Sequence, residues 1–163
     1  MGKKSFAVLS VIVLTMSMLA VPFAQAAEEV TRESYKEAVE PICKVNSKAN
    51  ERILKGVEDK FKSGKLKAAA TQFTQAAAAL RKTVKQLKAV PQPTADQAKL
   101  AKWLKAVEEE ANLFQQTANK LNANNKSAAQ AMVIRLTHNA NVANNQVLAF
   151  EFNYCRFEPS KYT

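Results

Sequence analysis

Glycine is nearly missing from this chain, three in 163 residues, and proline is held to five. Those counts exclude a collagen-like chain, and with 47% apolar residues the composition excludes a disordered one. Cysteine is limited to Cys43 and Cys155, so Cys-x-x-Cys redox pairs, haem-attachment motifs and the paired Cys/His spacing of zinc sites are all absent. Histidine occurs once, as His138. No Glu precedes it by three residues and no second His repeats it, which removes the Glu-x-x-His metal sites of helical bundles. Met132 is the only methionine beyond residue 26 and shares a stretch with His138, so the two cannot clamp a haem from facing helices. No metal and no cofactor is expected. After Ala27 no apolar run is long enough to span a bilayer, which takes about 20 residues.

The one long apolar run, Phe6 to Leu14, follows Lys3 and Lys4 and precedes Ala24-Gln25-Ala26. Residues 1–26 are therefore expected to be a cleavable signal peptide, with the chain exported to the periplasm or the extracellular space. The remainder carries 22 Lys+Arg against 14 Asp+Glu. In an oxidising compartment an even cysteine count is read as one disulfide, Cys43 to Cys155.

Four stretches show helical period and almost none shows the alternation of strands. The first, about Thr31 to Lys62, carries Tyr35, Ala38/Val39, Ile42, Val45, Ala49, Ile53, Val57 and Phe61, with a kink or restart expected between Glu37 and Pro41 and a stop at Gly64. The second, about Leu66 to Ala89, places Leu66, Phe73, Leu80 and Leu87 seven apart, the seam of a bundle helix. Thr94 with Gln97 reads as a capping box opening the third, whose stripe runs Ala101, Leu104, Val107, Ala111, Phe114, Ala118 and Leu121. Ser127 is the expected N-cap of the fourth, which carries Met132, Leu136, Ala140, Ala143, Val147 and Phe150. Phe150, Phe152 and Tyr154 alternate, so a short extended piece is expected to carry Cys155.

Short connections make antiparallel neighbours, so the fold class is all-α: an up-down-up-down four-helix bundle over 27–155, followed by a polar tail, 156–163. One disulfide is expected to join the start of the first helix to the end of the fourth. Tyr35, Ile42-Cys43, Asn46 and Asn50 near one end, with Cys155 at the other, resemble small secreted or lipoprotein-like bacterial helical proteins of unknown function. In that group a Tyr precedes an Ile-Cys, an Asn follows, and a C-terminal Cys is flanked by Gly. Here Phe-Asn-Tyr-Cys-Arg-Phe stands in place of the glycine. The resemblance implies a helical fold and a disulfide, and no reaction.

Acidic residues are wholly absent from 65–93, which holds six basic ones. Arg81, Lys82, Lys85 and Lys88 crowd the C-terminal end of the second helix. The helix dipole favours cations there, yet the missing acids also suit an anion-binding strip. Glu108, Glu109 and Glu110 read as a solvated face, and Trp103 as edge-of-core packing. Asn46, Asn50 and Asn139 border the apolar stripes, where buried amides fix helix register or form a polar ligand niche. No nucleophile, base and orienter can be assembled, so an enzyme is not expected. The expected function is a non-enzymatic exported binding or structural module that meets an anionic envelope polymer, lipid headgroup or acidic protein through the basic helix. The alternative is a small-ligand carrier using the Asn niche. Sequence-specific nucleic-acid recognition is not expected, since no named motif occurs and aromatics are not interleaved with the basic residues.

Overall fold

The computed structural model describes residues 29–158, so the expected signal peptide, 1–26, and residues 159–163 lie outside the described residues. Among the described residues there are five α-helices and no strand: α1 Arg32–Leu54, α2 Val57–Lys62, α3 Leu66–Lys88, α4 Gln97–Asn122 and α5 Lys126–Gln146. The four long helices form the bundle. Side chains bonded across neighbours fix its order. Near the start of α3 the Gln72 amide donates to the carbonyls of Ile53 and Lys55 at the end of α1 (2.6 and 3.0 Å), and Asn139 of α5 donates to the Ala106 carbonyl of α4 (2.9 Å). The Arg32 guanidinium, at the start of α1, grips the Asp96 carboxylate just before α4 through two bonds of 2.6 and 2.8 Å. Helices α1 and α4 thus run parallel across the bundle diagonal.

The heptad read in 66–89 is the seam of α3, with Leu66, Leu80 and Leu87 buried and Phe73 half-buried. Helix α4 packs against both α3 and α5 and so buries two adjacent rows. One is the expected stripe, except that Ala101 is exposed; the other runs Trp103, Ala106, Glu110, Leu113, Thr117. Trp103 is consequently not at an edge but fully enclosed.

The first stretch departs most from expectation. It is continuous through Pro41, because Pro41 and Glu37, whose carbonyl loses its donor, both face solvent, where water satisfies that carbonyl. The break falls instead at Lys55-Gly56, where Gly56 takes a left-handed φ of 69° that a side chain would strain, and α2 begins. The inward face of α1 is Tyr35, Val39, Cys43, Asn46, Asn50, Leu54, one position round from the expected stripe, and Val45 is left 70% exposed. Tyr35 meets Phe150 (ring centroids 5.7 Å) and Cys43 meets Cys155, and these two contacts set the rotation of the helix.

Two expected caps are replaced. Thr94–Asp96 form a 3-10 turn and Asp96 takes the N-cap position, so no Thr94/Gln97 box exists. Asn125, not Ser127, caps α5 by accepting from the Ala128 N–H at 2.9 Å.

Beyond α5 a second 3-10 turn, Leu148–Phe150, and Glu151 at φ 50° reverse the chain, so the expected extended piece is not formed. Phe150 and Phe152 are both buried and stack at 5.2 Å, with Trp103 against Phe152 at 5.6 Å. The returning segment is then pinned three times. The Glu40 carboxylate accepts from the backbone N–H groups of Asn153 and Tyr154, Cys155 bonds Cys43 across 5.0 Å between Cα atoms, and the Asn144 amide binds both backbone groups of Phe157. The disulfide therefore joins the middle of α1 to the segment beyond α5. Phe157, expected as part of a polar tail, is half-buried against the bundle, and Arg156 and Glu158 beside it are exposed.

Candidate functional site

Helix α1 packs on α3, and α5 on α4, but α1 and α5 do not close on one another. The returning segment fills the gap beside Tyr35 and Cys43. Above it the gap stays open as a cavity of about 350 Å³, walled by all five helices and by Tyr154 and Phe157 of the segment. That is the size of a small-molecule site.

Its walls are graded. Toward α2 they are apolar at Phe61, Phe73, Phe114 and Leu121, with Glu58 and Lys62 exposed at the rim and the Phe73 and Phe114 rings 6.0 Å apart. Toward the disulfide they are polar: Asn46, Asn50 and Glu110. Arg32 and Asp96 set the common origin of α1 and α4, and Asn46 and Glu110 each lie fourteen residues beyond that pair. At about 1.5 Å per residue the two stand at one level, roughly 20 Å from the pair, with Asn50 and Phe114 one turn further on.

Glu110 is 3% exposed, so the third residue of the acidic run is not part of a solvated face. Glu108 and Glu109 are the outward ones, pairing with Lys88 (3.0 Å) and Arg135 (3.7 Å). Burial pushes the Glu110 carboxyl up to about 7; the hydrogen bond from Asn139 works against this and the neighbouring Glu109 charge adds to it. Asn46 and Asn50 are 9% and 3% exposed, and the Oδ1 atom of each has no hydrogen-bond donor. Asn139 does not line the cavity. It stands behind Glu110, its Nδ2 2.7 Å from Oε2. The structure thus brings Asn46 and Asn50 together and adds Glu110, which the sequence reading passed over. The signal was present in the second apolar row of α4, in which Glu110 follows Trp103 and Ala106 and precedes Leu113 and Thr117.

The basic residues lie elsewhere. Arg81, Lys82, Lys85 and Lys88 are exposed on α3, and the first three make no ion pair among the described residues. His138 is exposed on α5, and among the described residues no group of His, Cys, Asp and Glu could hold a metal ion. No described helix is long and apolar enough to cross a membrane. Compared with known proteins, the chain matches no family model, no curated protein and no solved structure.

Proposed function

We propose that this is an exported, non-enzymatic carrier or sensor of a small amphipathic ligand, held in the cleft between α1 and α5. The observation that carries the reading is the inward face of α1. Two amides there, each with an unpartnered oxygen, line a mostly apolar cavity, while Val45 on the same helix faces solvent. Stability alone favours the reverse, because a buried polar atom without a partner costs free energy and an exposed valine contributes none. A ligand with an apolar body and a polar head gives both features a use. The pinned segment, with its disulfide, floors the site and is compatible with an oxidising compartment.

Native mass spectrometry of the protein taken undenatured from its own cell envelope tests this. A species heavier than the apo mass, lost on denaturation, is expected. An apo-only spectrum from the native source and from several expression hosts overturns it.

The basic strip supports a second reading, contact with an anionic envelope surface, because Arg81, Lys82 and Lys85 are left without acidic partners among the described residues and no acid occurs in 65–93. Binding to anionic vesicles that weakens with salt and disappears in Arg81→Glu/Lys82→Glu/Lys85→Glu is its expected signature. Binding that is salt-insensitive or absent removes it.

A further inference from the structure

The one enclosed charge in the cavity wall, Glu110, has no counter-ion among the described residues. Glu110 accepts a bond at Oε2 from the neutral Asn139 amide, and its Oε1 has no donor among the described residues. The cations around it are engaged elsewhere: Arg135 with Glu109, Lys88 with Glu108, and Lys62 at the rim with Glu58 at 2.6 Å. Arg156 and Glu158, of opposite sign, are both exposed on the segment side of the mouth. A lone carboxylate in an apolar wall is costly, and the cost is relieved by protonation or by an opposite charge brought to it.

Resting on the ligand-cavity reading above, we propose that the cavity binds an organic ammonium, its N–H donors on Glu110, Asn46 and Asn50 and its apolar body against Phe61, Phe73 and Phe114. Charge complementarity selects the head group, since Glu110 is the only enclosed charge in the wall among the described residues. The hydrogen-bonding inventory agrees. A primary ammonium carries three donors and no acceptor; Glu110 Oε1 is an acceptor without a donor, and the unpartnered oxygens of Asn46 and Asn50, enclosed behind their amide nitrogens, come to the cavity when the amides turn over. Geometry agrees as well. Asn46 and Glu110 stand at the level nearer the disulfide, and one turn further Asn50 stands with Phe114, where the wall turns aromatic, which seats an apolar body and also favours a nearby cation. A carboxylate ligand meets a like charge at the enclosed end, because the basic residues of the wall, Lys62 and Arg156, are exposed at its mouth. The same isolation that lifts the Glu110 carboxyl to about 7 ends when an ammonium docks, so binding takes place with the carboxylate charged.

The test compares three probes that share one apolar body: 1-naphthylmethylamine, 1-naphthalenemethanol and 1-naphthoate. The full chain is titrated calorimetrically at about pH 8, where the carboxyl is ionised and the amine protonated. The amine is expected to bind roughly tenfold or more tightly than the alcohol, and the carboxylate most weakly. In Glu110→Gln the amine is expected to fall to the alcohol's affinity. If alcohol and amine bind alike in the wild type, or if Glu110→Gln keeps the amine preference, the head-group assignment is overturned while the cavity reading stands. If none of the three binds, both fall. The wild-type comparison needs no variant, so the outcome does not depend on Glu110→Gln folding.

Discussion

Asn139 and Glu110 are joined side chain to side chain across the α4–α5 contact, the amide nitrogen 2.7 Å from Oε2 and at the same time 2.9 Å from the Ala106 carbonyl. A neutral donor orients the carboxylate without neutralising it, so the charge is held in place and remains costly. The carboxyl is lifted from its ordinary 4.5 to about 7, which means the folded state keeps a proton that the unfolded chain has released between those values. Stability therefore falls as pH rises from about 4.5 to about 7. Glu110→Gln keeps the shape and remains neutral. It is expected to add about 3 kcal/mol above pH 7 and almost nothing near pH 4, read from urea denaturation at the two pH values. An equal effect at both would show that the carboxyl titrates normally.

Arg32 and Asp96 work in the opposite direction. The guanidinium fork beside it holds the Asp96 carboxyl below its ordinary 3.8, against the burial that raises it. A depressed folded value means that this pair's contribution is present above the unfolded pKa and is lost as pH falls below it. Arg32→Ala leaves Asp96, 2% exposed, without its partner at the end of the bundle where α1 and α4 start. A lower melting temperature at neutral pH is expected, with the gap from wild type closing in acid. A gap constant with pH would mean that Arg32 acts through packing on Phe150, which lies 5.8 Å from its guanidinium carbon, and not through charge.

The Cys43–Cys155 bond closes a separation of 112 residues and holds down the segment that floors the cavity. In the chain-entropy model a loop of that length contributes about 4–5 kcal/mol. Cys43→Ser/Cys155→Ser is expected to lower the urea midpoint accordingly and to raise amide exchange at Asn153 and Tyr154, whose N–H groups are held by Glu40 beside it. Unchanged exchange there would assign the pinning to Glu40 and Asn144 alone.

Local pattern carried the long helices and not their rotations. The spacing of Leu66, Phe73, Leu80 and Leu87 is enough to name the face of α3, because the large apolar residues of that helix fall on one row and only small or polar ones, Ala69, Gln72, Ala76 and Thr83, on the buried row beside it. The rotation of α1 is set instead by Tyr35 on Phe150 and Cys43 on Cys155, partners more than 100 residues away, and a window of a few turns contains neither. Ile42, Val45, Ala49 and Ile53 form a valid apolar row by period, yet the row that turns inward includes Asn46 and Asn50. Glu110 was hidden for a related reason. A run of three acids reads as surface, but α4 lies against two helices and so buries two rows, and the third acid falls on the second. The cysteine pairing needed no geometry, only an even count and a compartment. The cavity itself was not legible, since it arises from two helices that do not pack on one another, and nothing in either sequence segment encodes a missing packing contact.

Asn50 offers the sharpest separation of stability from binding. Its side chain is 3% exposed, lines the cavity, and has an oxygen without a donor. Replacing such a group with an apolar one of similar size removes a desolvation penalty and adds buried hydrocarbon, so Asn50→Leu is expected to raise stability by about 1–2 kcal/mol. The same change removes one of the two amides at the polar end, and the affinity for 1-naphthylmethylamine is expected to drop by roughly tenfold, the worth of one good hydrogen bond to a charged group. A more stable protein that binds less well is the pattern of a residue kept for its ligand. If Asn50→Leu is instead less stable than wild type, the amide serves the packing of α1, and the polar end of the cavity reduces to Asn46 and Glu110. Urea midpoints and calorimetric titrations on one preparation decide between the two.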